Sequence, residues 1–245
     1  MRYQTRRDVL VGLGLVAVLA LTACGGLLPT FGEPEGPANV TLVDAQGYTD
    51  VDLAALATAL DDLRVGELSE PESEAILYVR EGEKLARDVL LVLDAQWDVK
   101  AFGRVSESED THTAAIKALI DRYELWDPMS VTSDGQYVSE ELYDLYYKLV
   151  ALGGPSPVDA LKVGVMIEEI SILDLREYQA ETDDEDVLLV YENLLRGSRN
   201  HLRIFAALLR QRGEIYQRRY LSQTLFDEIV STPPEPGFNA DDSGG

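Results

Sequence analysis

At 245 residues, with apolar residues at 46% and charged residues at 27%, the chain can bury one sizeable core. Its charge is lopsided: 44 acidic against 21 basic residues give −23, which argues against nucleic acid and anionic lipid as partners. One cysteine, Cys24, excludes an internal disulfide and a Cys-x-x-Cys knuckle, so any transition-metal site must use carboxylates and the two histidines.

Residues 1–23 read as an export signal, with Arg2, Arg6 and Arg7 ahead of an apolar stretch at 9–20. That stretch is short of the roughly 20 residues a membrane span needs. Leu21-Thr22-Ala23-Cys24 resembles the lipobox of bacterial-type lipoproteins, which implies cleavage and lipidation at Cys24. TRRDVLV resembles a twin-arginine signal, with Val9 where that family has Phe, which implies export of an already folded protein. Together they predict a chain held by Cys24 at the outer face of the cytoplasmic membrane or in the cell envelope.

Residues 24–65 are expected to form a lipidated tether, rich in Gly and Pro, followed by a short amphipathic helix at 51–63. Residues 66–231 read as one helical body. Ser69, with Pro71 and Glu72 in the first turn, opens a long helix over 70–96. A second spans 101–124 and ends before Asp127-Pro128. A shorter one covers 139–151, and Gly153-Gly154-Pro155 breaks the chain. Ser156 and Pro157 start a third long helix to 179, and Thr182 with Glu185 suggests a capping box for a fourth, reaching 212. A last short helix fits 221–230, and residues 232–245 look like a disordered tail. No alternating strand pattern stands out. The long connection between the second and third long helices, beside short loops elsewhere, predicts an all-α four-helix bundle with one long crossover and short extra helices, the ferritin-like topology.

The informative residues are polar ones on apolar stripes. In the second long helix Glu109 and His112 fall among Phe102, Val105, Ile116 and Leu119 at helical spacing. The other histidine, His201, lies on a stripe with Leu194, Ser198 and Phe205. Glu83 shares a stripe with Ile76, Val79, Ala86 and Leu90, and Glu168 with Leu161, Val165, Ile172 and Leu175. Glu169, about 100° from Glu168, is expected to be exposed, and Glu81 is off its stripe. Inward carboxylates and imidazoles are costly without a partner, and a metal ion is one partner that satisfies them all. Glu83, Glu109, His112, Glu168 and His201 are therefore the candidate ligands, for iron, manganese or zinc, as one ion or two. Glu83 and Glu168 are the candidate bridging carboxylates. The competing reading is a metal-free helical scaffold or interaction lipoprotein, in which buried carboxylates pair with arginines such as Arg87, Arg199 or Arg203.

Gly82-Glu83-Lys84-Leu85-Ala86-Arg87-Asp88, followed by Glu109-x-x-His112, resembles the first half of rubrerythrin-type ferritin-like proteins. More closely, residues 69–230 resemble a ferritin-like family of bacteria and archaea of unknown function, through REGEKLARDV, SESEDTHTAAIKALIDRY, DALKVGVMIEEISILDL, VYENLLRGSRNHLRIF and YLSQTLFDEI. The resemblance implies a ferritin-like fold and a di-iron site on the five ligands, with oxidase or peroxide chemistry. One departure matters: rubrerythrins carry a second Glu-x-x-His on the fourth helix, whereas this chain has Ser198, which leaves five ligands and an open coordination position, or one metal. The rubredoxin-like cysteines are also missing, so electrons would come from an external donor. A membrane-attached unit, as a monomer or homodimer, suits the tether better than a storage cage.

Overall fold

The structure is a computed structural model that describes residues 37–238, so the export signal and Cys24 lie outside the described residues. Among the described residues the protein is predominantly helical. Its elements are a two-stranded antiparallel sheet, β1 (Thr41–Val43) and β2 (Thr49–Val51), then α1 (Leu53–Asp61), α2 (Glu70–Trp97), α3 (Lys100–Arg122), α4 (Glu140–Gly153), α5 (Pro157–Gln179), α6 (Glu185–Gln211) and α7 (Gln223–Ser231). No helix among them is long and apolar enough to cross a membrane.

Local chemistry sets the helix ends. Ser69 and Glu72 form a reciprocal capping box, with the Glu72 carboxylate 2.8 Å from the Ser69 amide. Asp98, in the left-handed region at φ 49°, closes α2, and α3 begins two residues later, so these helices form a tight hairpin. Ser156 caps α5 with Pro157 in the first turn. The expected Thr182 capping box does not form. The Thr182 hydroxyl donates to Glu72 at 2.7 Å instead, and α6 begins at Glu185 behind Asp184.

The four long helices pack in a closed ring of contacts: α2 on α3 and α5 on α6 most extensively, α2 on α5 and α3 on α6 across. Their stripes meet in one core that includes Ile76, Leu90, Phe102, Ile116, Ile172 and Phe205, all fully buried. The long crossover from α3 to α5 carries a 3₁₀ turn (Pro128–Ser130) and α4. It is pinned to α2 by buried polar residues. Glu81 accepts the Val138 and Ser139 amides at 2.6 and 3.0 Å. Asp88 accepts from Lys84, the Gly135 amide and the Tyr137 hydroxyl. The GEKLARD segment thus faces two ways, with Glu83 turned into the core and Lys84, Arg87 and Asp88 holding the crossover.

Two segments differ from expectation. Residues 37–51, read as tether, contain the β1–β2 hairpin, whose strands of three residues are too short to show alternation in sequence. Asn193 of α6 anchors it, accepting the Val40 amide at 2.8 Å and donating to the Ala38 carbonyl at 2.9 Å. Residues 232–238, read as disordered tail, pack back on α6. Arg199 makes a two-pronged pair with Glu235, both N···O distances 2.7 Å, and the Phe238 amide donates to the Thr41 carbonyl at 2.6 Å.

Candidate metal centre

The five residues come from four helices: Glu83 on α2, Glu109 and His112 on α3, Glu168 on α5 and His201 on α6. None is more than 2% exposed, so all five face the core rather than water. They form two groups, Glu83–Glu109–His112 and Glu109–Glu168–His201, in each of which one donor atom per residue lies within 4.8 Å of the others.

Glu109 belongs to both groups. Its Oε2 lies 2.7 Å from His112 Nδ1, and its Oε1 lies 3.0 Å from His201 Nδ1. The two imidazoles stack face to face, with ring centres 5.6 Å apart and planes 23° from parallel. Glu83 approaches His112 Nδ1 at 3.2 Å, and Glu168 approaches His201 Nδ1 at 3.6 Å. Glu109 is therefore the carboxylate common to both groups, with Glu83 beside His112 and Glu168 beside His201. The 3.6-residue repeat gives the face a carboxylate occupies but not its depth between neighbouring helices.

The electrostatics describe a cluster of mutually dependent charges. Burial pushes the Glu83 carboxyl up to about 8, and the Glu109 charge adds to the effect. Burial lifts Glu168 to about 7, against the pull of His201. Burial also opposes ionisation of Glu109, but the adjoining His112 and His201 outweigh it and hold this carboxyl far below its ordinary range. The histidines go the other way. Burial would lower both, yet Glu109 and Glu83 raise His112 well above its usual value, while Glu168 and Glu109 raise His201 to about 9.

A cation fits this donor set. Metal–ligand bonds of about 2.0–2.2 Å put two ligand atoms at most about 4.4 Å apart, close to the 4.8 Å within which the donor atoms of each group lie. Several buried atoms have no hydrogen-bond partner among the described residues: both Glu168 carboxylate oxygens, Glu109 Oε2, which touches His112 without hydrogen-bond geometry, and Ser198 Oγ. Buried carboxylate oxygens without donors are the groups a cation would satisfy.

The arginines that could have neutralised this cluster are engaged elsewhere. Arg80 pairs with Asp127, and Arg87 with Asp88, Asp110 and Asp134. Arg199 pairs with Glu192 and Glu235, and Arg203 with Glu235. Asp110, between Glu109 and His112, is exposed and faces Arg87, as its position off the stripe implies.

Sequence reasoning missed two kinds of residue. Glu169 is fully buried, not exposed. Its carboxylate accepts from the Tyr216 hydroxyl at 2.8 Å and from the Arg219 and Leu221 amides, fixing the loop before α7. Glu81 is buried for the same kind of reason. Thr49, on β2, lies with its hydroxyl 2.7 Å from His201 Nε2. Nothing in the local pattern signals that contact, because the partners are 152 residues apart.

Residues 72–233 match the family model for an uncharacterized protein domain, DUF2202. The chain belongs to this family. It is similar to the uncharacterized protein MJ0754 of Methanocaldococcus jannaschii, at 44% identity over 172 residues, covering 70% of this chain and 93% of that protein. The crystal structure of the hypothetical protein MJ0754 from Methanococcus jannaschii superposes with a TM-score of 0.70 at 43% identity, over 71% of this chain and 99% of that one. All five candidate ligands fall inside the family match, and the β1–β2 hairpin precedes it.

Proposed function

We propose that this DUF2202 protein is an exported, lipid-anchored ferritin-like four-helix bundle whose core holds a carboxylate- and histidine-ligated metal centre, with two ions of iron as the favoured occupant. One observation carries the reading: three buried glutamates and two buried histidines converge on one another, while every arginine named above as a rival partner pairs elsewhere. A scaffold built on carboxylate–arginine pairs would need the reverse.

Glu109 and His112 would hold one ion with Glu83, and Glu109 and His201 the other with Glu168. Iron in such a site supplies one-electron redox chemistry toward dioxygen or peroxide. The chain's own part is structural and electrostatic. Glu109 keeps both imidazole Nδ1 atoms turned inward. The core around the site, including Phe102, Ile116 and Phe205, excludes bulk water. Ser198, where rubrerythrins have a glutamate, is buried without a hydrogen-bond partner among the described residues and would leave one coordination position to a small exogenous ligand. Electrons come from an outside donor. On the export reading, Cys24 carries the lipid and places the centre at a membrane surface.

The test is the absorption spectrum of the iron-loaded full chain before and after hydrogen peroxide. Near-ultraviolet and visible bands that change on addition support redox function. A loaded protein whose spectrum peroxide leaves unchanged refutes it and leaves metal binding alone.

A further inference from the structure

The two halves of the centre differ in what stands behind their histidines. His112 Nε2 has no hydrogen-bond partner among the described residues and abuts Gly197 on α6. His201 Nε2 meets the Thr49 hydroxyl at 2.7 Å. Thr49 is fully buried and belongs to β2, the strand whose Val51 amide donates to Thr111 of α3 at 2.9 Å. The hairpin is thereby fastened to α3 and α6, the two helices that carry both histidines.

The direction of the hydrogen bonds follows from counting protons. Ser108 Oγ donates to the Thr49 carbonyl, so its single hydrogen is committed. Ser108 Oγ is then an acceptor toward the Thr49 hydroxyl, 3.4 Å away in a long contact. With its own hydrogen directed at Ser108, Thr49 Oγ1 is free to accept from His201 Nε2 at 2.7 Å. In that arrangement His201 carries a proton on Nε2, and Nδ1, which donates to Glu109 in the metal-free protein, is the nitrogen a metal ion would take. A hydroxyl behind a metal-facing imidazole fixes its tautomer and its ring angle.

We propose that Thr49 is a positioning residue of the metal centre, and that it makes the Glu109–Glu168–His201 half the tighter of two non-equivalent metal sites. The inference rests on the metal-centre reading above. It goes beyond it in ranking the two halves and in making the N-terminal hairpin, outside the family match, a working part of the site. His112, with nothing holding its far nitrogen, belongs to the weaker and more exchangeable half. Glu83 on that side also lines a small cleft of about 30 Å³ between α2, α4 and α5.

Cobalt(II) titration of the full chain, followed by its visible absorption, tests this. The wild type should bind in two phases. Thr49→Val keeps the shape and strand preference of the residue but removes the hydroxyl. It should weaken the tighter phase by about 10–100-fold and leave the weaker one in place. Thr49→Ser, which restores a hydroxyl, should recover most of the tight phase. Zinc-loaded wild type should show a slowly exchanging His201 Nε2–H proton by NMR that Thr49→Val loses. A Thr49→Val protein that binds cobalt like the wild type overturns the proposal. So do equal shifts of both phases, and so does a Thr49→Ser protein that lacks the tight phase. A wild-type chain that takes up no cobalt and no iron overturns the metal reading itself, a different result from cobalt bound identically by all three proteins.

Discussion

Two glycines in helix interiors should respond to the same substitution with opposite signs. A Cβ built on Gly197 of α6 would sit 2.4 Å from His112 Nε2 and 2.6 Å from Cε1, whereas one on Gly82 of α2 meets nothing within 4 Å. Ordinary contact begins near 3.4 Å, so the His112 ring would have to yield by about 1 Å. It is fully buried and held at Nδ1 by Glu109 and Glu83, so it cannot yield freely. Overpacking of this kind costs about 1–3 kcal/mol, and removing a helix-interior glycine returns about 0.5–1 kcal/mol. Gly197→Ala should therefore destabilise the metal-free protein by about 1–2 kcal/mol, a fall in Tm of roughly 2–8 °C. Gly82→Ala should stabilise it by about 0.5–1 kcal/mol. The displaced ring should also empty the Glu83–Glu109–His112 half, because a metal site tolerates about 0.5 Å of ligand misplacement. Thermal and urea unfolding of both variants, with metal content after loading, checks this. A Gly197→Ala protein as stable as Gly82→Ala and fully loaded would refute the close packing of His112 against α6.

Three further outcomes follow from the same geometry. Glu109→Gln should lower occupancy of both metal sites, since Glu109 is common to the two groups, while Glu168→Gln should lower only one; elemental analysis of the two variants separates these cases. Saturating metal, at about 100 times Kd, should add about 2.7 kcal/mol and raise Tm by roughly 5–10 °C for each site filled, and a chelator should reverse the rise in a calorimetric scan. Glu235→Gln should cost about 1–2 kcal/mol at neutral pH by breaking the Arg199 and Arg203 pairs. Burial opposes ionisation of Glu235, but Arg199 and Arg203 outweigh it and hold its carboxyl below its ordinary 4.5. A carboxyl lowered on folding contributes stability above that value and loses it as pH falls through the folded one. The gap between wild type and Glu235→Gln should thus hold from neutrality down to about pH 5 and close in more acid solution, as urea melts across that range would show.

The long helices were legible because their apolar repeats are long and their caps are local chemistry: Ser69 with Glu72, Ser156 with Pro157. The candidate centre was legible for a related reason. Glu83, Glu109, His112, Glu168 and His201 each interrupt an apolar stripe, and that interruption needs no knowledge of which helices meet. What pairs with what was not legible. Glu81 and Glu169 look like surface residues in the repeat, yet each accepts loop amides that come from about 50 residues away. The hairpin escaped notice because its strands are three residues long, and the order of residues 232–238 depends on Glu235 meeting arginines more than 30 residues earlier. The place of Glu109 between both histidines likewise depends on the depth at which α3 sits between α2 and α6.

The central claim is that the five buried residues hold metal. The most direct measurement is the iron, manganese and zinc content of the purified full chain after expression in metal-supplemented medium. The account predicts between about one and two ions per chain, falling sharply in Glu109→Gln. Less than about 0.3 ion per chain in the wild type would contradict it.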